Sequence, residues 1–312
     1  MILDDFIYIN DKGIYCPYGD FYLDPQQPVA TAVISHAHAD HAIAGNNEVY
    51  STEATAAFMQ LRYGKNAAKV FNIVNWHKPF QIKGIQITFI PAGHMLGSAM
   101  VYMEYNGASY LYTGDFKLQT DATCEPIEWL KADVLITEST FADPVVLHPD
   151  PVEEINKLND IKTNILLGAY GLGKSQRLIN LITTHVPQKK VLVHHKIMPL
   201  NAIYQKMGYT LGMHQLYNRK LMKTQDEYVY IVPPFTFDSY IRATGVKRIF
   251  ASGWKNLQVN QHDTLFISDH ADWNDILTAI QQVEPKQIWT LHGDGKHLKN
   301  HFENNIFVKI LN

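Results

Sequence analysis

The pattern of apolar and polar residues over the first 90 positions reads mainly as strands and turns, with period-two alternation over 85–91 and again over 99–105. A short apolar, β-branched run predicts a strand over 30–35, and the alternating segments predict strands over 85–91 and 99–105. Asn106-Gly107 then predicts a tight hairpin into a strand over 108–112. Ser51 reads as the N-cap of a helix over 53–61, and a buried-type strand is expected over 133–137. Asp143-Pro144 and His148-Pro149-Asp150-Pro151 break the pattern and predict a domain boundary.

Beyond that boundary the texture changes. Strands are expected over 164–167, 190–194, 228–232 and 247–251, with helices over 174–184, 199–206 and 238–243. Such alternation predicts a small α/β unit with a mostly parallel sheet. After Gln261 the first texture returns, with strands over 263–268 and 287–291 around a helix over 272–283. The expected organisation is one domain from 1–148 and 263–312, with residues 149–262 inserted into it.

Bulk properties narrow the class. The 312 residues are 46% hydrophobic, ample for a large core. No stretch reaches the roughly 18 consecutive apolar residues a membrane helix needs. Met1-Ile2-Leu3-Asp4-Asp5 carries acid where a signal peptide carries base. A cytoplasmic protein with no membrane partner is expected, with Cys16 and Cys124 as reduced thiols. The net charge of −3 does not announce a nucleic-acid binder, but its distribution changes the picture. Residues 151–262 hold 15 Lys/Arg and 6 Asp/Glu, a net of +9, and the remainder is at −12. Acidic side chains suit metal binding and basic ones suit a polyanion; a solvated basic face accounts for the second fact equally well.

The chemistry concentrates in His36-Ala37-His38-Ala39-Asp40-His41. Without a nearby thiolate, zinc takes imidazole and carboxylate ligands. If extended backbone persists past Ser35, His36 and His38 point the same way. Asp40 and His41 cannot share that face with both, so they are placed to hold a second ion. His94, Asp115 and His292 each follow a predicted strand and adjoin a glycine. They complete the donor count for two ions.

This motif series resembles the metallo-β-lactamase superfamily, whose fold is an αββα sandwich. The resemblance implies that His36, His38 and His94 hold one zinc ion, Asp40, His41 and His292 the other, and that Asp115 bridges them. It makes Asp24 the first motif, supporting the ligands from behind. Relatives with Glu at the place of His38 use iron for redox chemistry, so His38 favours hydrolysis. The basic α/β insert resembles the β-CASP nucleases. Their additional motifs correspond to Glu138 in Ile136-Thr137-Glu138-Ser139-Thr140, His270 in Ser268-Asp269-His270-Ala271-Asp272, and His292. Phosphodiester cleavage needs an activated hydroxide, charge neutralisation and a proton for the departing oxygen. Two zinc ions ~4 Å apart supply the first two. His270 is expected to handle the proton and Glu138 to orient its ring, although taken alone the two read as an ordinary buried ion pair. Asp40, Glu138 and His270 are the expected catalytic residues.

Cys16-Pro17, Asp24-Pro25, Pro91-Ala92-Gly93-His94, Gly114-Asp115-Phe116-Lys117, Leu167-Gly168-Ala169-Tyr170, Ala251-Ser252-Gly253-Trp254 and Ser268-Asp269-His270-Ala271-Asp272-Trp273 together look like the ligase-associated DNA exonucleases. That resemblance implies a two-zinc DNA exonuclease (manganese being the other candidate ion) in DNA repair, acting alongside a DNA ligase and a helicase. An RNA-processing β-CASP ribonuclease is the alternative. A small-ester or lactam hydrolase would leave the insert, Glu138 and His270 without work, and an inactive scaffold subunit would have lost ligands.

One string competes. Gly168-Ala169-Tyr170-Gly171-Leu172-Gly173-Lys174-Ser175 fits the ATP-binding P-loop pattern, but the insert offers no apolar strand ending in Asp to hold magnesium. Two uses remain open: contacts from Lys174 and Arg177 to nucleic-acid phosphate, or a structural helix start. Ser268 is a further candidate, for a terminal phosphate. For Tyr170, Phe235 and Trp254, buried packing is expected over base stacking.

Overall fold

A computed structural model of the chain describes residues 1–224, 226–254 and 263–311. Contacts divide the chain into two units. The first is Met1–Thr120, Cys124–Leu147 and His270–Asn312, and the second is Asp121–Thr123 and His148–Asp269.

The first unit opens with a six-stranded sheet in chain order: β1 (Tyr8–Asn10), β2 (Gly13–Cys16), β3 (Phe21–Leu23), β4 (Thr31–Val33), β5 (Asn46–Ser51) and β6 (Ala68–Ile73). Between β5 and β6 lies α1 (Glu53–Tyr63). Its N-cap is Thr52, whose hydroxyl accepts from the Thr55 amide; the expected cap, Ser51, is the last residue of β5. The strand runs one residue further than its polar end suggests because Ser51 pairs with Ile73. A second sheet begins with β7 (Phe80–Ile82), β8 (Ile85–Pro91), β9 (Ala99–Tyr105), β10 (Ala108–Tyr112) and β11 (Val134–Glu138).

The second unit follows: α2 (Pro151–Asn156), β12 (Asn164–Gly168), α3 (Lys174–His185), β13 (Lys190–Val193), α4 (Met198–Lys206), β14 (His214–Leu216), α5 (Arg219–Thr224), β15 (Tyr228–Val232), α6 (Pro234–Ser239), β16 (Val246–Ala251) and β17 (Asp263–Leu265). Its sheet runs β14-β13-β15-β12-β16-β17, and every neighbouring pair is parallel. The helix expected over 238–243 forms earlier, as α6. Pro234 sits in its first turn, where a missing N–H costs nothing and φ is already helical. The strand expected over 263–268 ends at Leu265, where the Ile267 amide turns back onto the Leu265 carbonyl.

The chain then returns to the first unit with α7 (Trp273–Val283), β18 (Gln287–Leu291), α8 (Lys296–His301) and β19 (Phe307–Ile310). These complete the second sheet, ordered β19-β18-β11-β10-β9-β8-β7.

Alternation along the strands of this sheet dictates its layering. Ile87, Phe89, Val101, Tyr110 and Ile136 pack with Phe6, Phe21 and Val33 of the first sheet's layer. The intervening Ile90, Met100, Leu111 and Leu135 face Trp273, Ile276 and Ile280 of α7. Residues 273, 276, 280 and 283 recur at helical spacing, so α7 presents one apolar stripe. Each such buried side chain stabilises the fold by about 1.5–3 kcal/mol. On the far side, Met59 of α1 packs on Ala32, Ile34 and Val49. The first unit is therefore an αββα sandwich, and the chain is an α/β protein in which a parallel α/β unit interrupts that sandwich. No helix among the described residues is long and apolar enough to cross a membrane.

Candidate metal centre

The expected ligands of the first unit emerge from the ends of β4, β8, β10 and β18. His36 and His38 follow β4, His94 follows β8, and Asp115 follows β10. Their donor atoms converge. His36 Nε2 and His94 Nε2 each lie 3.1 Å from His38 Nδ1. Asp115 Oδ2 lies 3.5 Å from His36 Nε2 and 3.9 Å from His94 Nε2. Ligands about 2.05 Å from a tetrahedral zinc ion stand about 3.3 Å apart, so this donor set fits a zinc-sized cation. One nitrogen, His38 Nδ1, cannot donate to both neighbouring imidazoles, whereas a cation satisfies all three at once.

Asp115 also reaches the other side, with Oδ2 3.4 Å from His41 Nε2. Asp40 Oδ2 is 3.9 Å from the same nitrogen, and the His292 ring centroid is 5.3 Å from that of His41. Asp40 is well exposed (side chain 77%) and His292 is exposed at a left-handed φ of 55°. These four groups could hold a second ion, with Asp115 shared between the two places.

Behind the ligands lies a buried support that sequence reasoning named only in part. Asp24 accepts from the Ser35 amide (2.7 Å), the Ser35 hydroxyl (2.5 Å), His41 Nδ1 (2.9 Å) and the Tyr112 hydroxyl (2.8 Å). Ser35 Oγ in turn sits 3.0 Å from His36 Nδ1. With the hydroxyl proton on Asp24, His36 donates from Nδ1 and turns the Nε2 lone pair inward; His41 does the same against Asp24 directly. Such carboxylate–imidazole pairs set ring orientation and ligand basicity. Asp24 belongs geometrically to a possible cluster with His36 and His41, but its oxygens are already engaged by four donors.

Electrostatics follow from burial. It holds His36 and His94 well below the usual histidine range, helped by the neighbouring His41 and His38 respectively. Both are thereby kept neutral, as metal ligation requires. Burial opposes charge on His41 too, but Asp115 and Asp24 outweigh it and hold its pKa well above the ordinary value. Asp115 is held well below the carboxylate range: burial works against its charge, and His41 and His270 outweigh it. Tyr112 is pushed up by burial and by Asp24.

Glu138, the last residue of β11, is buried beside this cluster. Its Oε2 lies 2.9 Å from His270 Nδ1, and its Oε1 accepts from the Phe116 amide at 2.9 Å. His270 Nδ1 is also 3.8 Å from Asp115 Oδ2. The two residues are thus brought together at the metal cluster's edge rather than elsewhere in the core.

Glycines allow the close approaches. A Cβ on Gly114, at φ 53°, would fall 2.7 Å from the Ser35 side chain. One on Gly293 would fall 2.3 Å from the Ser139 carbonyl oxygen. Buried Lys117, which sequence reasoning passed over, donates to the His94 carbonyl at 2.5 Å.

The three candidates for phosphate contact, Lys174, Arg177 and Ser268, are all buried. Lys174 is buried, donates to the Ile267 carbonyl at 2.5 Å and lies 3.2 Å from Asp269 Oδ2. Arg177 is buried and pairs with Asp269 Oδ1 at 2.9 Å and the Ser268 carbonyl at 2.6 Å. Ser268 is buried as well. The P-loop-like string leads into α3, with Gly173 at φ 79° as its N-cap. Its cations are enclosed because α3 packs its first turn inward.

The sequence agrees with this geometry. The beta-lactamase superfamily domain family matches residues 20–169, and the Zn-dependent metallo-hydrolase RNA specificity domain family matches residues 257–306. A protein of Opitutus terrae named a probable DNA ligase is 32% identical over 90% of this chain and 28% of its own length. An RNase J-like protein of Methanocaldococcus jannaschii is 26% identical over 58% of this chain and 50% of its own. The chain thus spans half or less of the length of these relatives. Among solved structures, a protein of unknown function from Enterococcus faecalis shares the fold at a TM-score of 0.60 and 14% identity, over 90% of this chain and 79% of that one. The chain belongs to the β-CASP branch of the metallo-β-lactamase superfamily.

Proposed function

We propose that the chain is a metal-dependent phosphodiesterase acting on nucleic acid, and more finely a DNA exonuclease of DNA repair. The observation that carries the reading is the buried Glu138–His270 pair set against the Asp115 carboxylate that the metal-donor cluster shares. An ester or lactam hydrolase has no need of a second carboxylate–imidazole pair beside its metal ligands.

His36, His38 and His94 would hold one ion, Asp40, His41 and His292 the other, and Asp115 both. Zinc, when bound, supplies Lewis acidity towards a phosphoryl oxygen and brings the pKa of water near neutrality. The chain's own groups do the rest. Asp24 and Ser35 keep the imidazoles aimed. Glu138 keeps His270 Nδ1 protonated, so that the imidazolium holds its second proton at Nε2 for the departing oxygen. Asp40, exposed at the rim, faces incoming water.

The DNA-end reading is supported by likeness along 90% of the chain to part of a protein named a DNA ligase. A chain of this kind would work in the cytoplasm together with a DNA ligase and a helicase. The RNase J-like relative and the RNA specificity match favour RNA as the second reading. The test is digestion of end-labelled linear and circular strands of DNA and RNA, with zinc content measured on the same sample. Stepwise shortening of linear DNA, lost on chelation and in His270→Ala, is expected. Equal cutting of circles overturns the exonuclease reading, preference for RNA overturns the DNA reading, and undiminished cutting by His270→Ala overturns the proposed site.

A further inference from the structure

The second unit displays three aromatic side chains that sequence reasoning assigned to the core. Phe235 is 92% exposed, Tyr170 63% and Trp254 52%. Isolated exposed apolar residues are ordinary. These three are not scattered. Tyr170 follows β12, Phe235 follows β15 and Trp254 follows β16, and β12 lies between the other two. Gly168 of β12 is level with Val232 of β15 and with Phe250 of β16, so the strands end together. At about 4.8 Å between strands, the row spans roughly 10 Å along the carboxyl edge of a parallel sheet. The chain builds β13 and β14 to one side of β12 and β16 and β17 to the other, so this edge is a topological switch point, where such sheets bind ligands.

The backbone beneath each ring is pinned. Tyr170 O accepts from Ser175 N and Oγ (3.1 and 2.7 Å), and the Ala169 amide donates to Val232 O (2.9 Å). Pro233 O accepts from the Phe237 amide (2.9 Å), and the Trp254 amide donates to Ser252 Oγ (3.0 Å). With the backbone fixed, only side-chain rotation remains to be lost when something stacks on the rings. Residues 151–262 around them hold 15 Lys/Arg against 6 Asp/Glu, an excess that remains without the buried Lys174 and Arg177 and favours a polyanion as the occupant.

We infer that Tyr170, Phe235 and Trp254 form a stacking platform for the unpaired bases of a single-stranded nucleic acid. Bases offer a π-face whatever their identity, so such a platform binds without reading sequence. A duplex hides those faces, and the platform therefore selects single strands. The inference rests on the phosphodiesterase reading and deepens it.

The test uses the full chain and fluorescence anisotropy with short labelled strands carrying phosphorothioate linkages to slow cleavage: oligothymidylate, oligouridylate, and an abasic strand of equal length. Tighter binding of the two base-bearing strands is expected. Phe235→Ala and Trp254→Ala should each weaken that binding roughly tenfold and leave the abasic strand's affinity alone, whereas Phe235→Trp should keep that binding. Trp254 is the one exposed tryptophan of five, so quenching of its emission by oligothymidylate is a second expected signal. Equal affinity for abasic and base-bearing strands overturns the platform, as does a concentration-dependent dimer that Phe235→Ala abolishes without altering strand binding. A preference between the thymidylate and uridylate arms identifies which strand uses it. Hydrolysis of bis(4-nitrophenyl) phosphate by the unaltered chain reports on the metal centre alone, so failure of the phosphodiesterase reading is seen separately.

Discussion

His270 Nδ1 lies 2.9 Å from Glu138 Oε2, and the other carboxylate oxygen is held by the Phe116 amide. Glu138 is buried and so cannot relax towards water. The carboxylate therefore fixes both the plane and the tautomer of the imidazole.

This makes Glu138 a residue that acts through His270. Glu138→Gln should lower kcat for phosphodiester cleavage about 10–100-fold with little change in KM. His270→Ala should cost about 10²–10⁴-fold. The double variant should be no slower than His270→Ala, because a positioning group has nothing left to position. Additive losses in steady-state rates would show that Glu138 has work of its own.

Asp24 is the anchor of the other half of the site. It holds His41 directly and His36 through Ser35. Asp24→Asn is expected to weaken zinc binding about 10–100-fold, read as metal retained against a graded chelator. Tyr112→Phe removes one of four donors and should weaken it less. If Asp24→Asn held zinc as firmly as the unaltered chain, the support role would be wrong.

How much of this was legible follows from where the information sits. His36, His38, Asp40 and His41 are adjacent in sequence, and His94, Asp115 and His292 sit at strand ends beside glycines, so the candidate ligands could be read locally. The αββα layering was legible from resemblance alone, while the strands themselves were legible locally, from alternation in β8 and β9 and from the apolar run of β11. The Asp24–Tyr112 contact spans 88 positions and joins a carboxylate to an unremarkable tyrosine, so no local pattern marks it. Burial is what local patterns do not reveal. Lys174 and Arg177 sit in a string that resembles a phosphate loop, and only the packing of α3 encloses them. Tyr170, Phe235 and Trp254 look like core residues by type and are exposed by position.

Gly293 sits against the Ser139 backbone, where an added Cβ would meet a carbonyl oxygen at 2.3 Å. Backbone cannot swing aside as a side chain can. Gly293→Ala should destabilise the fold by about 1–3 kcal/mol and displace the neighbouring His292. A lowered denaturant midpoint together with reduced zinc content is expected. An unchanged midpoint would mean the β18 turn yields at no cost.

Asp275, in the first turn of α7, has its pKa raised to about 6 by burial, with the charge of Asp272 adding to the effect. An unfolded aspartate titrates near about 3.9, so the neutral acid is favoured in the fold. Its contribution to stability is complete below about pH 4 and is lost as the pH rises through about 6. Asp275→Asn cannot ionise. The variant should therefore gain stability relative to the unaltered chain progressively from about pH 4 to about pH 6 and keep that gain above it. Urea midpoints for both proteins across that range test the sign. A gap that narrows with rising pH would reverse it.

In the second unit, Asp269 stands between two buried cations, 3.2 Å from Lys174 Nζ and 2.9 Å from Arg177 Nη1. Removing the carboxylate leaves both positive charges enclosed without it. Asp269→Leu should therefore cost about 3–5 kcal/mol, more than most single substitutions, in equilibrium unfolding of this unit. Lys174→Met distinguishes structural from phosphate-contacting lysine. A lysine on phosphate contributes nearly one unit to the slope of log affinity against log salt. With Nζ held by Ile267 O and Asp269, Lys174→Met should lower stability and leave that slope unchanged. A slope reduced by about one unit at unchanged stability would return Lys174 to the nucleic-acid interface.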